Sequence, residues 1–311
     1  MAIAIKTVNL TKRYGTLVAL SNLNLEIEEG DCFGFIGPNG AGKSTTIKIL
    51  ATLLQPTWGE ARICDYVVGF ESRQIRPLIG YVPDYFGAYE DMVVKEYLEF
   101  FAAAYNIHGA AREKVVGDVL TLTDLSYKAD APVDGLSRGM KQRLSIARVL
   151  LHDPKVLLLD EPAGNLDPRA RIEMRELLKA LRRMGKTILI SSHILPELQD
   201  LCNKVGIIEQ GDLKYAGPWV DIVRKARLGT IVQIGLSSNA SLAAQLLRED
   251  ANVSTVEEKP EFIEVTLKEG ISDYSFLAQK LVQGGYKLTM FKEEEVNLET
   301  AFMRLTKGMV Q

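Results

Sequence analysis

Apolar and polar residues change their spacing several times along this chain, and each change marks an element. Ala4–Val8, Leu17–Ile27 and Gly59–Ile63 are rich in β-formers, partly alternating, and punctuated by Glu29-Gly30-Asp31 and Trp58-Gly59. That pattern predicts strands joined by tight turns, which together make an antiparallel β lobe. Cys32–Ile36 is a short apolar strand that runs into a glycine-rich loop, and a helix is expected from about Gly42 until Pro56 ends it. Between Met92 and Tyr105, apolar Val94, Tyr97, Leu98, Phe101 and Tyr105 recur at three- and four-residue spacing. This is the stripe of an amphipathic helix, and it belongs to a helical insertion expected at about residues 85–134. Lys155–Leu159 and Thr187–Ile190 are continuous apolar runs, the mark of strands covered on both faces, with helical patterns between them. A parallel α/β core follows.

The pattern shifts after Gly217-Pro218. Trp219–Arg227 reads as a connecting helix. Beyond it come β (Thr230–Leu236), α (Ser241–Glu249), β (Val253–Glu258), β (Glu261–Leu267), α (Asp273–Val282) and β (Lys287–Lys292), closed by a helix over Leu298–Thr306. The order suits a ferredoxin-like split β-α-β unit. The expected organisation is thus a large domain over residues 1–217 and a small α+β domain over 218–311.

Composition narrows the function classes. With 311 residues, 47% hydrophobic and 25% charged, the chain can bury a full core. A formal net charge of −3 argues against coating nucleic acid or an anionic bilayer by charge alone. Cys32, Cys64 and Cys202 are an odd set without CxxC spacing, which suggests neither a disulfide framework nor a zinc site and fits a reducing compartment. The N-terminus lacks the basic start and apolar stretch of a secretory signal, and no apolar run approaches the roughly 18 residues of a spanning helix. Membrane contact is therefore expected through a partner only.

The glycine-rich loop carries the first chemistry. Gly37-Pro38-Asn39-Gly40-Ala41-Gly42-Lys43-Ser44 fits G-x-x-x-x-G-K-[ST] between a strand and a helix. Glycines let backbone N–H groups converge on phosphate oxygens, and the helix N-terminus adds positive potential. Lys43 can reach β- and γ-phosphates, Ser44 can ligate Mg²⁺, and Thr45 can donate to the α- or β-phosphate. A second half-site comes from Val156-Leu157-Leu158-Leu159-Asp160-Glu161, a buried strand that ends in two acids. Asp160 is the expected Mg²⁺ holder, and Glu161 the group that polarises or orients the attacking water.

A third segment then carries a family resemblance. Leu136-Ser137-Arg138-Gly139-Met140-Lys141-Gln142-Arg143 resembles the LSGGQ-type signature of ATP-binding-cassette (ABC) ATPases, and it precedes the Asp160-Glu161 strand by the family's spacing. The resemblance covers about residues 4–217. It implies a P-loop NTPase cassette with a RecA-like parallel core, an antiparallel β lobe and a helical insertion. It also implies that two cassettes stack head to tail, each signature serine capping the γ-phosphate held by the opposite Walker loop. Ser137 and Gly139 precede a helix read at Met140–Leu151, so hydroxyl, N–H and dipole together offer an anion site. Taken alone, Ser137 reads as a plain N-cap.

Other positions match in turn. Tyr14 sits where the family places an aromatic against adenine, although an aromatic in a β lobe also serves as core. His193, in Ser191-Ser192-His193, matches the switch histidine that contacts the γ-phosphate and links it to Glu161. Asn165-Leu166-Asp167-Pro168 resembles the D-loop. Two departures stand out. Asp84, in Gly80-Tyr81-Val82-Pro83-Asp84, occupies the place of the Q-loop glutamine that contacts Mg²⁺ and water, and Arg138 and Met140 replace the usual glycine and glutamine.

The resemblance implies a Mg²⁺-dependent ATPase, working as a cassette dimer and energising export through a separate transmembrane permease subunit. Its location would be cytoplasmic, peripheral on the inner face of the cell membrane. The permease would dock near Asp84–Tyr105, where Asp84–Asp91 is an acidic-aromatic stretch. A small β/α appendix after the cassette resembles the branch that exports drugs, lipids or polysaccharides. The rival reading is a soluble ABC ATPase acting on nucleic acid or ribosomes, but those relatives carry paired cassettes or long heptad arms, which are missing here.

Overall fold

The computed structural model describes residues 2–85, 87, 91–219, 221–222, 230–268, 270–271 and 273–293. These divide after Trp219 into two compact units.

The first unit holds two sheets. β1 (Ile3–Tyr14), β2 (Leu17–Glu28), β4 (Trp58–Ile63) and β5 (Tyr66–Val67) form an antiparallel sheet in the order β2-β1-β4-β5. β1 is longer than the expected Ala4–Val8. Asn9 takes a left-handed φ of 48° and the register slips between Thr7 and Leu10, so the alternation breaks while the strand continues.

The second sheet has the order β10-β9-β3-β8-β7-β6. Its members are β3 (Cys32–Ile36), β6 (Ile79–Val82), β7 (Val156–Asp160), β8 (Thr187–Ser192), β9 (Lys204–Glu209) and β10 (Asp212–Pro218). β6, β7, β8, β3 and β9 run parallel, and β10 returns antiparallel along β9. β3, β7 and β8 are buried at every position, as their unbroken apolar runs demand. All three end at the same edge of the sheet, so the loop after Ile36, the acids after Leu159 and the segment after Ser192 emerge together. This is where ligands sit in open α/β sheets.

α1 (Lys43–Leu50) follows the glycine-rich loop. It stops before the expected Pro56, because Thr52 turns left-handed (φ 62°) and the N–H groups of Leu53 and Leu54 fold back on Lys48 O. The helical insertion supplies α3 (Val94–Ala104) and α4 (Gly109–Leu122), which come after the short helix α2 (Ser72–Ile75). Val94, Tyr97 and Leu98 are buried on α3 as the stripe predicts, whereas Tyr105 lies past its end, its ring stacked on His152 at 4.2 Å. α5 (Arg138–Leu150), α6 (Pro168–Arg183) and the short α7 (Leu195–Gln199) complete the unit.

The second unit runs β11 (Ile231–Leu236), α8 (Ala240–Arg248), β12 (Val253–Glu258), β13 (Ile263–Leu267), α9 (Ser275–Gln283) and β14 (Leu288–Glu293). The strands pair antiparallel in the order β12-β13-β11-β14, the split β-α-β arrangement expected from the sequence. Val232, Ile234 and Val265 from the sheet and Leu247, Leu277 and Leu281 from the helices fill its core. The helix expected over Leu298–Thr306, most of that over Trp219–Arg227 and half of the Asp84–Asp91 stretch lie outside the described residues.

Candidate nucleotide site

β3 delivers the chain into residues 37–42, and α1 begins at Lys43. Gly42 has φ 107°, and a Cβ there would stand 2.6 Å from Ala19 O, so only glycine fits this corner. The bend leaves the first N–H groups of α1 at the mouth of the loop, a concave donor surface suited to phosphate.

Lys43 is folded inward and 5% exposed. Its Nζ donates to Gly37 O at 2.7 Å and Pro38 O at 3.2 Å and lies 3.5 Å from Glu161 Oε1. Burial pushes its pKa below the ordinary lysine value, against the pull of Glu161 and Asp160. An ammonium this desolvated gains most when a multiply charged anion arrives.

The two acids are held differently. Asp160 ends β7, fully buried, and its Oδ1 accepts from Ser44 Oγ at 3.0 Å and Ser191 Oγ at 2.7 Å. Glu161 sits one residue on with φ 49°, a left-handed conformation that costs about 1–3 kcal/mol and persists only where the surroundings impose it. They do: Glu161 N donates to Ser191 Oγ at 2.9 Å, Gly164 N donates to Glu161 O at 2.9 Å, and His193 Nδ1 lies 2.6 Å from Glu161 Oε2. With Nδ1–H donating to that carboxylate, the Nε2 of His193 is left for another partner. Ser191 joins both acids through one hydroxyl. No role was read for it in the sequence, where the only signal was its place beside Ser192 and His193.

Asn39, Gly40, Ala41, Gly42, Lys43, Ser44, Thr45, Asp84, Glu161 and His193 line a single cleft of 290 Å³, to which Gly164 and Asn165 also contribute. Asp84 thus comes into the neighbourhood of Lys43 and Glu161. Tyr14 does not line this cleft; it ends β1, about half exposed, with Lys12 Nζ 5.2 Å from its ring centroid.

Ser137 and Gly139 lie elsewhere. They line a separate cavity of 490 Å³ with Tyr127, Met140, Arg143, Asp167 and Arg169, and the two cavities share no residue. Ser137 caps α5, its Oγ accepting from Met140 N at 3.3 Å. Asp167 caps α6 in the same way, accepting from Ala170 N at 3.0 Å. A Cβ on Gly139 would stand 2.7 Å from Ala170 Cβ, so glycine lets α5 and α6 close on each other at this point. Buried Arg143 ties the face together, bonding Thr123 O at 3.2 Å, Asp124 Oδ2 at 3.1 Å and Glu173 Oε2 at 3.4 Å.

The ABC transporter family profile matches residues 20–164. The bacitracin transport ATP-binding protein BcrA of Bacillus licheniformis is 34% identical over 315 residues, covering 99% of both chains. This chain belongs to the ABC transporter ATP-binding proteins. The linearmycin resistance ATP-binding protein LnrL of Bacillus subtilis is 31% identical over 96% of each chain, and a Nod factor export ATP-binding protein I of Burkholderia lata 35% identical over 97% of each. Among solved structures, an ATP-binding subunit of an ABC transporter superposes with a TM-score of 0.64 at 30% identity, over 71% of this chain and 92% of that one. A dimeric ATP-binding cassette in a post-hydrolysis state with ADP and Pi gives a TM-score of 0.62 at 29% identity, over 69% and 98%. The ABC cassette is an ATPase fold, and ATP is the ligand class that its loop and acids imply. The reading as a nucleic-acid or ribosome ATPase finds no support in these relatives. Among the described residues no helix is long and apolar enough to cross a membrane.

Proposed function

We propose that this ABC ATP-binding protein hydrolyses ATP between two head-to-tail cassettes and passes the resulting change of shape to a separate transmembrane subunit that exports a cargo. The observation that carries the reading is the split of the site. Lys43, Glu161 and His193 line one cleft, with Asp160 hydrogen-bonded to its Ser44, while the signature residues Ser137 and Gly139 line another that lacks all of these. A second copy in head-to-tail register would bring its own Ser137 and Gly139 over the first cleft.

Each residue then has a task. The N–H groups of residues 39–45 and the Lys43 ammonium bind the triphosphate, and Tyr14 offers a flat face to adenine. Ser44, Asp160 and Asp84 present a hydroxyl and two carboxylates, hard oxygen donors of the kind Mg²⁺ selects. The bound ion would neutralise charge on the phosphates. Glu161 accepts a proton from the attacking water or orients it, and His193, held by Glu161 through Nδ1, turns Nε2 to the γ-phosphate, where it donates when both ring nitrogens carry a proton. Ser137 and the Gly139 N–H cap that phosphate from the partner's side. Loss of the γ-phosphate removes the bridge, and the difference in affinity between open and closed dimers does the work.

Residues 1–217 act as the cassette and 218–311 as an accessory domain. Three full-length relatives named for bacitracin transport, linearmycin resistance and Nod factor export support an exporter's motor, held peripherally on the cytoplasmic face by its permease. The test is Glu161→Gln, purified and mixed with ATP. Hydrolysis should stall and size-exclusion chromatography should show an ATP-bound dimer; a variant that hydrolyses normally or stays monomeric with ATP would remove Glu161 from this role.

A further inference from the structure

A third cavity, of 540 Å³, lies between α6, α7 and β8. That volume is within the roughly 300–1,000 Å³ of small-molecule pockets. Its interior is apolar, with Met174, Leu178, Ile190, Leu198 and Leu201 buried along it, while Ile172 is 54% exposed at its edge. Two guanidiniums also line it, those of Arg171 and Arg175. Arg175 Nη1 donates to Asp200 Oδ2 at 3.3 Å, but its buried Nε meets no hydrogen-bond partner among the described residues. A buried cationic donor left open beside an apolar chamber asks for an acceptor that brings apolar surface with it.

The walls of this chamber give it a second property. One is Pro162-Ala163, directly after Glu161, continued by Pro168 directly after Asp167. The other is Ser191-Ser192 and Ile194, which flank His193. A molecule seated here would touch both segments that carry the proposed water-activating pair, through residues that do not line the nucleotide cleft.

We propose that the cavity binds a free single-chain amphiphile with an anionic head, of the medium-chain fatty acid class. The chain lies among Met174, Leu178 and Leu198 and the head on Arg175. Occupancy changes the rate of ATP turnover by fixing the 162–168 and 191–194 segments. The binding claim is independent of the function proposed above; the effect on turnover rests on it. Charge complementarity decides the class, since neither a neutral chain nor a cationic head brings an acceptor to the open Arg175 donor.

The probes are sodium decanoate and decyltrimethylammonium, titrated by calorimetry into the full chain without nucleotide. Decanoate should bind saturably and at least about tenfold tighter than the cation of equal chain length. Ile172→Asp, at an exposed position that leaves the fold and basal ATPase rate intact, should weaken decanoate at least about tenfold by placing a carboxylate at the entrance. Arg175→Gln should abolish the preference for the anionic head. With ATP present, decanoate should change turnover with the same midpoint as binding, and Ile172→Asp should remove the response. Equal binding of both heads, or decanoate binding that ignores Ile172→Asp, would overturn the site. Binding without a change in turnover would overturn the coupling, and a response to phosphatidylglycerol vesicles but not to decanoate would assign the charge to membrane contact instead.

Discussion

The cleft around Lys43 and the cavity around Ser137 both open at helix N-termini, yet their polar groups are spent in different ways. In the first, the side chains answer one another: Ser44 and Ser191 hold Asp160, and Lys43 and His193 hold Glu161. In the second, Ser137 and Asp167 cap their own helices, Gly139 presses against Ala170 and Arg143 bonds Asp124 and Glu173, so the signature face is shaped within its own chain. On the function proposed above, the first supplies the catalytic groups and the second supplies the cap over a partner's γ-phosphate. A half-site already shaped by its own chain needs little further ordering to meet its complement, which is what a site assembled from two copies requires.

The largest effect should come from emptying the first cleft of its buried cation. Lys43→Ala should lower kcat by about 10³-fold in a steady-state ATPase assay, as loss of a preorganised phosphate contact does. Ser137→Asn sharpens the contrast, because asparagine caps a helix as well as serine but lacks the hydroxyl. Thermal melting should be unchanged while turnover falls about 10²-fold; if turnover held, Ser137 would be a cap and nothing more. Ser191→Ala removes one hydroxyl that serves both acids, and a fall in kcat of about 10- to 100-fold is expected, as for other groups that orient a metal-binding carboxylate.

The smallest effect is on stability at high pH. Burial first, and then Asp160 and Asp84, push the Tyr81 hydroxyl from 10.0 up to about 12. The folded state thus favours neutral Tyr81. The stability this confers is complete below pH 10 and is lost as the pH climbs from 10 towards 12. Tyr81→Phe should flatten the alkaline fall of Tm over that window, and an unchanged profile would show that the Tyr81 hydroxyl is not held neutral by burial and the two acids.

Much of the first cleft was legible in the sequence because its chemistry is local. A glycine pattern between strand and helix can hardly be read another way, and an apolar strand ending in Asp160-Glu161 fixes where the acids emerge. Ser191 was not legible. It matters because parallel pairing sets Asp160 beside Ser191, a register between residues about 30 apart in sequence that spacing does not reveal. The left-handed turn at Glu161 was hidden for the same reason, being imposed by tertiary bonds on a residue with no preference for it. β9 and β10 were missed for a different one. β10 alternates strictly between half-buried and exposed positions, but its inward face carries Leu213, Tyr215 and Gly217, too mixed a set to read as one side of a strand.

In the proposed dimer each working site takes Lys43 from one copy and Ser137 from the other. Mixing two inactive proteins, Lys43→Ala and Ser137→Ala, and measuring ATP turnover separates this arrangement from a site complete in one chain. In a head-to-tail dimer the mixed particle has one doubly damaged site and one intact site. With random pairing the mixture should regain about a quarter of the wild-type rate. If mixing restores nothing, each site is complete within one chain and the head-to-tail dimer is ruled out.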